Sequence, residues 1–240
     1  NNVAGSVTLL RAMEAAGVHH LVFSSSCTVY GEPENVPLDE SHPVGGVSSP
    51  YGRTKFQMEE IIQDHASANS NFKAAVLRYF NPVGAHPSGK IGEDPNGIPD
   101  NLVPFVCQVA AGKMKQLKIF GNDYNTPDGT AIRDFIHVSD LADIHTQVAK
   151  YLLKNLKSNL FNCGYGKGFS VLDVVDTANR ICQNKIIYKF SDRREGDVEK
   201  LIAETSKILT HIEWEPKYNN LEDIINSSIK WEEKINESNK

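Results

Sequence analysis

Two apolar runs of strand type, "HHLVFSSS" and "NFKAAVLRYFN", flank a single helical pattern, "SPYGRTKFQMEEIIQ", and this succession constrains the fold more than any other feature of the chain. Strands joined through one crossover helix lie parallel, so a βαβ unit and a parallel sheet are expected here. Further along, "NLVPFVCQVAAGK" reads as a helix, "LKIFG" as a strand, "NDYNTPDGTAIRD" as a turn-rich segment and "FIHVS" as a strand. The helix "DLADIHTQVAKYLLK", the strand "SNLFNCG", the helix "SVLDVVDTANRICQ", the strand "KIIYKF" and the amphipathic helix "LEDIINSSIKWEEKI" complete the order. Residues 82–101 shift to Gly, Pro, Asn and Asp, the mark of a long loop, and such loops in compact folds are usually functional.

The helix of the βαβ unit has its own start signals. Ser49 can cap it, Pro50 suits its first position, and Tyr51 and Lys55 then stand at i and i+4 on one face. A free tyrosine titrates near about 10, and a neighbouring ammonium lowers that value, so the pair makes a proton-transfer device. A lone YxxxK is more often a surface tyrosine and a solvated lysine. The neighbourhood shifts the balance: Ser24, Ser25 and Ser26 end one strand and Tyr79, Phe80 and Asn81 end the next, at the carboxyl edge where open parallel sheets bind ligands.

Composition narrows the function classes. With 240 residues, 40% of them hydrophobic and 23% charged, the chain can bury the core of one or two domains. A net charge of −5 without a basic stripe gives no field for nucleic acid or an anionic membrane. Cys27, Cys107, Cys163 and Cys182 lie far apart with no CxxC spacing, which argues against a disulfide framework and a zinc site; no metal is expected, and a reducing cytoplasm fits best. No apolar run approaches the roughly 20 residues needed to cross a bilayer, and there is no secretory start signal. The opening "NNVAGSVTLLRAMEAAG" reads as a helix already under way, with Gly17 as its stop, so a fragment or truncated form is expected.

"FNCGYGKGFSVLD" invites a dinucleotide-loop reading at Gly164, Gly166 and Gly168. The spacing is GxGxG rather than GxGxxG, and no acid for a ribose follows about 20 residues on, so a structural strand-to-helix turn is preferred. A phosphate loop, if the protein uses one, would lie upstream of Asn1.

"SSSCTVYG", "SPYGRTK", "RYFNPVGAHPSGKIGEDPNGIPDNL", "IFGNDYNTPDGTAIRDFIHV" and "RREGD" together resemble, in this order, UDP-glucose 4-epimerases of the extended short-chain dehydrogenase/reductases. The resemblance implies an α/β fold: the C-terminal part of a doubly wound parallel (Rossmann-type) sheet plus a smaller α/β substrate-binding domain. Residues 1–81 would be the remainder of the dinucleotide-binding domain, and residues 82–240 mainly the nucleotide-sugar domain with some segments returning to the sheet. It implies an NAD-dependent isomerase that interconverts UDP-glucose and UDP-galactose by transient oxidation at C4, rotation of the 4-keto sugar and return of hydride. Tyr51 would move the proton of the 4-hydroxyl, Lys55 would lower the tyrosine and hold the nicotinamide ribose, and Ser26 would orient the same sugar oxygen. Asn1, Ser24, Tyr51, Lys55 and Phe80 would face NAD. Asn81, Asn101, Leu102, Lys118, Phe120, Arg133, Arg194, Asp197 and Leu201 would join Ser26 around the UDP-hexose, the arginines because a guanidinium fork suits a diphosphate.

For each arginine taken alone a salt bridge with the acid in its own motif is the simpler reading, and His137 in "FIHVSD" reads as a packed core histidine. Leu201 stands where relatives restricted to glucose and galactose tend to carry tyrosine and relatives that also accept N-acetylated sugars carry cysteine. The isolated chain is expected to be inactive without its phosphate loop, and a complete form to be a homodimer. Two alternatives stay open: a nucleotide-sugar 4,6-dehydratase, disfavoured because "SSSCT" lacks an acidic pair, and a non-catalytic binding or regulatory protein.

Overall fold

The computed structural model describes residues 2–95, 97, 99, 101–182 and 186–238. Helix α1 (Asn2–Ala15) leads into strand β1 (His20–Ser26), and Gly17, at φ +67°, supplies the left-handed residue that ends the helix. Helix α2 (Pro50–Ala68) begins as its sequence predicts: the Ser49 hydroxyl accepts from the Gly52 N–H at 3.1 Å, and Pro50 occupies the first turn. Strand β2 (Lys73–Tyr79) then pairs parallel with β1 from His20 opposite Lys73 to Ser26 opposite Tyr79. Strand β6 (Asn159–Cys163) joins the other side of β2, also parallel, so the sheet order is β1-β2-β6.

Strand β2 is apolar on both faces because both are covered. Ala74 packs with Leu10, Met13, Met58 and Ile62 of α1 and α2, whereas Ala75 and Leu77 pack with Leu141, Ile144 and Val148 of helix α4 (Val138–Asn155). Alternate residues of a strand point to opposite faces, and helices on both faces are what a parallel sheet needs. The sheet is thus the doubly wound α/β arrangement.

A second group of elements surrounds another core. Strand β3 (Asn81–Val83) pairs parallel with β5 (Ile132–His137), and β5 also pairs with β7 (Gly168–Ser170) and β9 (Lys200–Leu201). Strands β4 (Leu117–Phe120) and β8 (Tyr188–Ser191) form a parallel pair of their own. Helices α3 (Leu102–Ala110), α5 (Val171–Cys182) and α7 (Leu221–Ser238) bury Val103, Val106, Val174, Val175, Ile224 and Ile225 against one another.

Among the described residues, β7, β9, β3 at the start of the expected loop, the 3-10 turn Cys27–Tyr30 and the short helix α6 (Ser206–His211) escape the sequence pattern. The first two are three and two residues long, too short for a period to show. The strand expected over "KIIYKF" begins at Tyr188; Ile186 is buried in the core before it, and Lys185 lies outside the described residues.

Candidate functional site

Strands β1 and β2 end together, and α2 crosses the face of the sheet there. Tyr51, in the first turn of α2, keeps 51% of its surface exposed, so the phenol opens onto the crevice. Ser26 lies beside it: partial burial of Tyr51 raises its pKa above the usual value, and the Ser26 hydroxyl works the other way. Ser26 accepts from the Thr28 N–H at 3.3 Å and the Thr28 hydroxyl at 3.0 Å, which fixes its side chain in the 3-10 turn Cys27–Tyr30.

Lys55 is on the expected face but not at the expected atom. Its ammonium donates to the Ser24 carbonyl at 2.8 Å and sits 5.6 Å from the centre of the Tyr51 ring. Partial burial lowers the lysine pKa. The lowering of Tyr51 by Lys55 expected from the i, i+4 spacing is therefore not what the structure shows: the charge is engaged by a carbonyl, and desolvation of the phenol prevails.

Beneath the serines is a buried ion pair. Glu59, one turn beyond Lys55, is 1% exposed, and Arg78 of β2 is 3% exposed. The Arg78 fork holds Glu59 through Nε at 3.0 and 3.2 Å and Nη2 at 2.6 Å, and the Ser25 hydroxyl donates to the same carboxylate. Arg78 also stacks 4.7 Å from the centre of the Tyr30 ring, and the Tyr30 hydroxyl donates to Asn162 Oδ1 at 2.7 Å. Sequence reasoning missed this pair, although Tyr51, Lys55 and Glu59 at successive fourth positions share one helix face.

The site extends from Cys27 across Phe80 and Leu201, both buried in one cluster with Val29 and Ala203. Leu201 in β9 is the register partner of Arg133 in β5. Burial lowers the pKa of the Arg133 guanidinium, which the charge of Asp197 partly offsets. Asp134 does not pair with Arg133: its carboxylate accepts from the N–H groups of Tyr165, Gly166 and Ala203. Arg133 instead donates to the carbonyls of Ile132 and Glu199, at 2.9 and 3.4 Å. The motif salt bridge is thus absent for Arg133 and present for Arg194, which meets Asp197 at 3.1 Å. Arg194 also lies 5.6 Å from the Phe120 ring, with Lys118 at 4.8 Å from the same ring.

Asn81 opens β3 with its side-chain oxygen buried and without a hydrogen-bond partner among the described residues. Asn101 precedes α3 and donates to Glu93 at 3.4 Å, and Leu102 packs onto the core of α3, α5 and α7. Asn1 lies outside the described residues. His137 is fully buried: its ring accepts from the Ser139 N–H at 3.1 Å and stacks on Tyr218 at 4.4 Å. At the glycine-rich turn the N–H groups that a phosphate would need are taken by Asp134, as a structural turn requires.

A doubly wound parallel sheet with tyrosine, lysine and serine at its carboxyl edge, flanked by a second module carrying arginines, defines a nucleotide-handling α/β protein of the short-chain dehydrogenase type. Residues 1–164 match the NAD dependent epimerase/dehydratase family. The chain belongs to that family, and it is similar over most of its length to UDP-glucose 4-epimerases. The enzyme of Bacillus subtilis (strain 168) is 47% identical over 232 residues, 97% of this chain and 68% of the relative. The Homo sapiens enzyme is 50% identical over 213 residues, 89% of this chain and 61% of the relative. The chain thus spans about two thirds of the curated relatives it matches. A crystal structure of the UDP-glucose 4-epimerase from Stenotrophomonas maltophila, with bound NAD and formylated UDP-arabinopyranose, superposes with a TM-score of 0.95 at 40% identity, covering 99% of this chain and 70% of that one. The UDP-Glc/GlcNAc 4-epimerase of Campylobacter jejuni gives 0.80 at 39% identity, covering 98% and 70%.

Proposed function

We propose that this chain is the greater part of an NAD-dependent UDP-hexose 4-epimerase that interconverts UDP-glucose and UDP-galactose. The observation that carries the reading is the meeting of Tyr51, Ser26 and Lys55 at the carboxyl edge of β1, in a chain similar to UDP-glucose 4-epimerases over most of its length. On this reading residues 1–81 belong to the dinucleotide-binding domain and residues 82–240 mainly to the nucleotide-sugar domain, with β6 returning to the sheet. The complete protein is a homodimer of the cytoplasm, where four free cysteines are at home.

The residues present fit both ligands. Lys55 brings a positive charge among oxygen acceptors beside Ser24, suited to a ribose, and the Arg133 fork, whose hydrogen bonds among the described residues go to carbonyls and whose charge feels Asp197 nearby, is suited to a diphosphate. The buried oxygen of Asn81 calls for a donor such as a sugar hydroxyl. NAD, which Ser24, Lys55 and Phe80 would hold, would supply the hydride acceptor and donor for C4 of the sugar. Ser26 orients the 4-hydroxyl, and Tyr51 takes its proton and later returns it. A phenol held above its usual pKa keeps its hydrogen at neutral pH, so accepting that proton requires a positive charge at the phenolate, and Lys55 on the same face of α2 is placed to supply it once its carbonyl contact loosens. Lys118, Phe120, Arg133, Arg194 and Asp197 hold the uridine diphosphate away from the reacting carbon, which leaves the sugar free to turn.

The test is interconversion by the protein in its complete form with no added oxidant. Tyr51→Phe keeps the ring and removes the proton carrier, so turnover should fall by roughly 10²–10⁴-fold while substrate binding survives. Near-normal turnover in that variant would remove Tyr51 from the mechanism.

A further inference from the structure

A second polar cluster lies at the same edge, joining Ser24, expected to face the dinucleotide, to Tyr79 and His145, which have no part in the roles assigned above. Tyr79, the last residue of β2, reaches both Ser24 and His145. The Tyr79 and Ser24 hydroxyls are 2.5 Å apart, Tyr79 also meets His145 Nε2, and Ser24 Oγ is 3.5 Å from that nitrogen. The other imidazole nitrogen, Nδ1, lies 2.7 Å from the Leu141 carbonyl, one turn back along α4.

The hydrogens of this cluster can be assigned by elimination. A carbonyl only accepts, so in the neutral ring Nδ1 carries the hydrogen and Nε2 offers a lone pair. Burial pushes the Tyr79 phenol up to about 12, so it keeps its single hydrogen. Nε2 must receive a hydrogen, and Tyr79 makes the shorter contact to it. With the Tyr79 hydrogen committed there, the hydrogen between the two hydroxyls comes from Ser24. Ser24 then turns its lone pairs outward and is an acceptor. Remove the Nε2 lone pair and the chain reverses: Tyr79 donates to Ser24, and the serine hydrogen points outward.

We propose that His145 is a positioning residue which, through Tyr79, sets Ser24 as a hydrogen-bond acceptor for an N–H or O–H group of the bound dinucleotide. The inference rests on the reading of this crevice as the cofactor's seat. The relay of hydrogens runs from Ser24 through Tyr79 to His145 and takes in neither Tyr51 nor Lys55, whose ammonium donates to the Ser24 carbonyl rather than to its hydroxyl.

The experiment uses the complete protein and measures the dissociation constant for NAD, kcat and the melting temperature. His145→Leu removes the lone pair and should weaken NAD binding by roughly tenfold, the weight of one mismatched buried hydrogen bond, with the melting temperature nearly unchanged. His145→Gln carries an acceptor at the reach of Nε2 and should recover most of the loss, whereas His145→Asn reaches only as far as Nδ1 and should not. In a Tyr79→Phe background the His145→Leu change should add little, since the relay is already cut. Wild-type NAD binding in His145→Leu, equal behaviour of the Gln and Asn variants, or a full second loss on top of Tyr79→Phe would each overturn the proposal. If His145→Leu does not fold, the Gln and Asn pair decides. A wild-type protein that neither binds NAD nor interconverts UDP-hexoses would instead overturn the functional reading itself.

Discussion

Replacing Arg78 by methionine isolates the interaction that ties α2 to the sheet beneath the serines. The wild-type guanidinium makes three contacts with Glu59, at 3.0, 3.2 and 2.6 Å, and both side chains are almost wholly out of water, at 3% and 1% exposure. Methionine fills much of the space and leaves Glu59 with the Ser25 hydroxyl as its remaining partner among the contacts described. Breaking one side of a buried pair costs about 3–5 kcal/mol, because the surviving charge stays desolvated. At about 2–4 °C per kcal/mol for a chain of this size, the melting temperature should fall by about 6–20 °C.

Urea unfolding followed by far-ultraviolet circular dichroism measures the loss directly, provided the slope with denaturant is unchanged. The double variant Glu59→Met/Arg78→Met removes both charges and should regain most of the stability, falling short by about 1 kcal/mol for the unpaired Ser25 hydroxyl. A loss below about 1 kcal/mol in Arg78→Met, or a double variant no better than the single, would refute the account of this pair as a desolvated ion pair.

Two other outcomes follow from residues at the edge of the site. Leu201 is buried against Phe80 and Cys27; the ratio of kcat/KM for UDP-N-acetylglucosamine over UDP-glucose should rise in Leu201→Cys and fall in Leu201→Tyr, each by the few-fold to hundredfold that about 1–3 kcal/mol of steric discrimination allows. A ratio that stays flat across the three proteins would show that Leu201 is not the gate. A methyl group on Gly164 would sit 2.5 Å from Asp134 Oδ2 and 2.8 Å from the Ala203 side chain, so Gly164→Ala should destabilise by about 1–3 kcal/mol through overpacking, with NAD binding intact in the folded fraction. Unchanged stability in that variant would remove the packing reason for the glycine.

The parallel βαβ frame and the start of α2 were legible because each has a local signal: apolar runs bounded by polar turns, and a capping serine followed by proline. Tyr51, Lys55, Ser26 and Phe80 were legible as a group because consecutive elements of a parallel sheet bring their carboxyl ends to one edge. Partners chosen by tertiary packing were not. Arg133 and Asp134 are neighbours in sequence, but alternate residues of β5 point to opposite sides, so the acid serves the glycine-rich turn and the base donates to the carbonyls of Ile132 and Glu199. The Tyr79–His145 contact joins residues 66 positions apart, and no spacing rule connects a strand end with a helix that far along.

The face of α2 shows why chemistry and stability meet in one element. Tyr51 is exposed to the crevice, Lys55 is part-buried against a strand carbonyl, and Glu59 is sealed beneath the sheet edge, each one turn deeper than the last. A helix anchored only by apolar contacts can slide or roll by a fraction of a turn at small cost, since such contacts are non-directional. A bidentate ion pair bonded to Ser25 cannot. Ser25 stands between Ser24, which receives Lys55, and Ser26, which meets Tyr51, so the Glu59–Arg78 pair fixes the register between the row of serines and the helix that carries Tyr51 and Lys55. The buried charges therefore serve geometry at the edge more than net stability, which is why their joint removal should leave the fold standing while turnover, measured on the complete double variant, still falls.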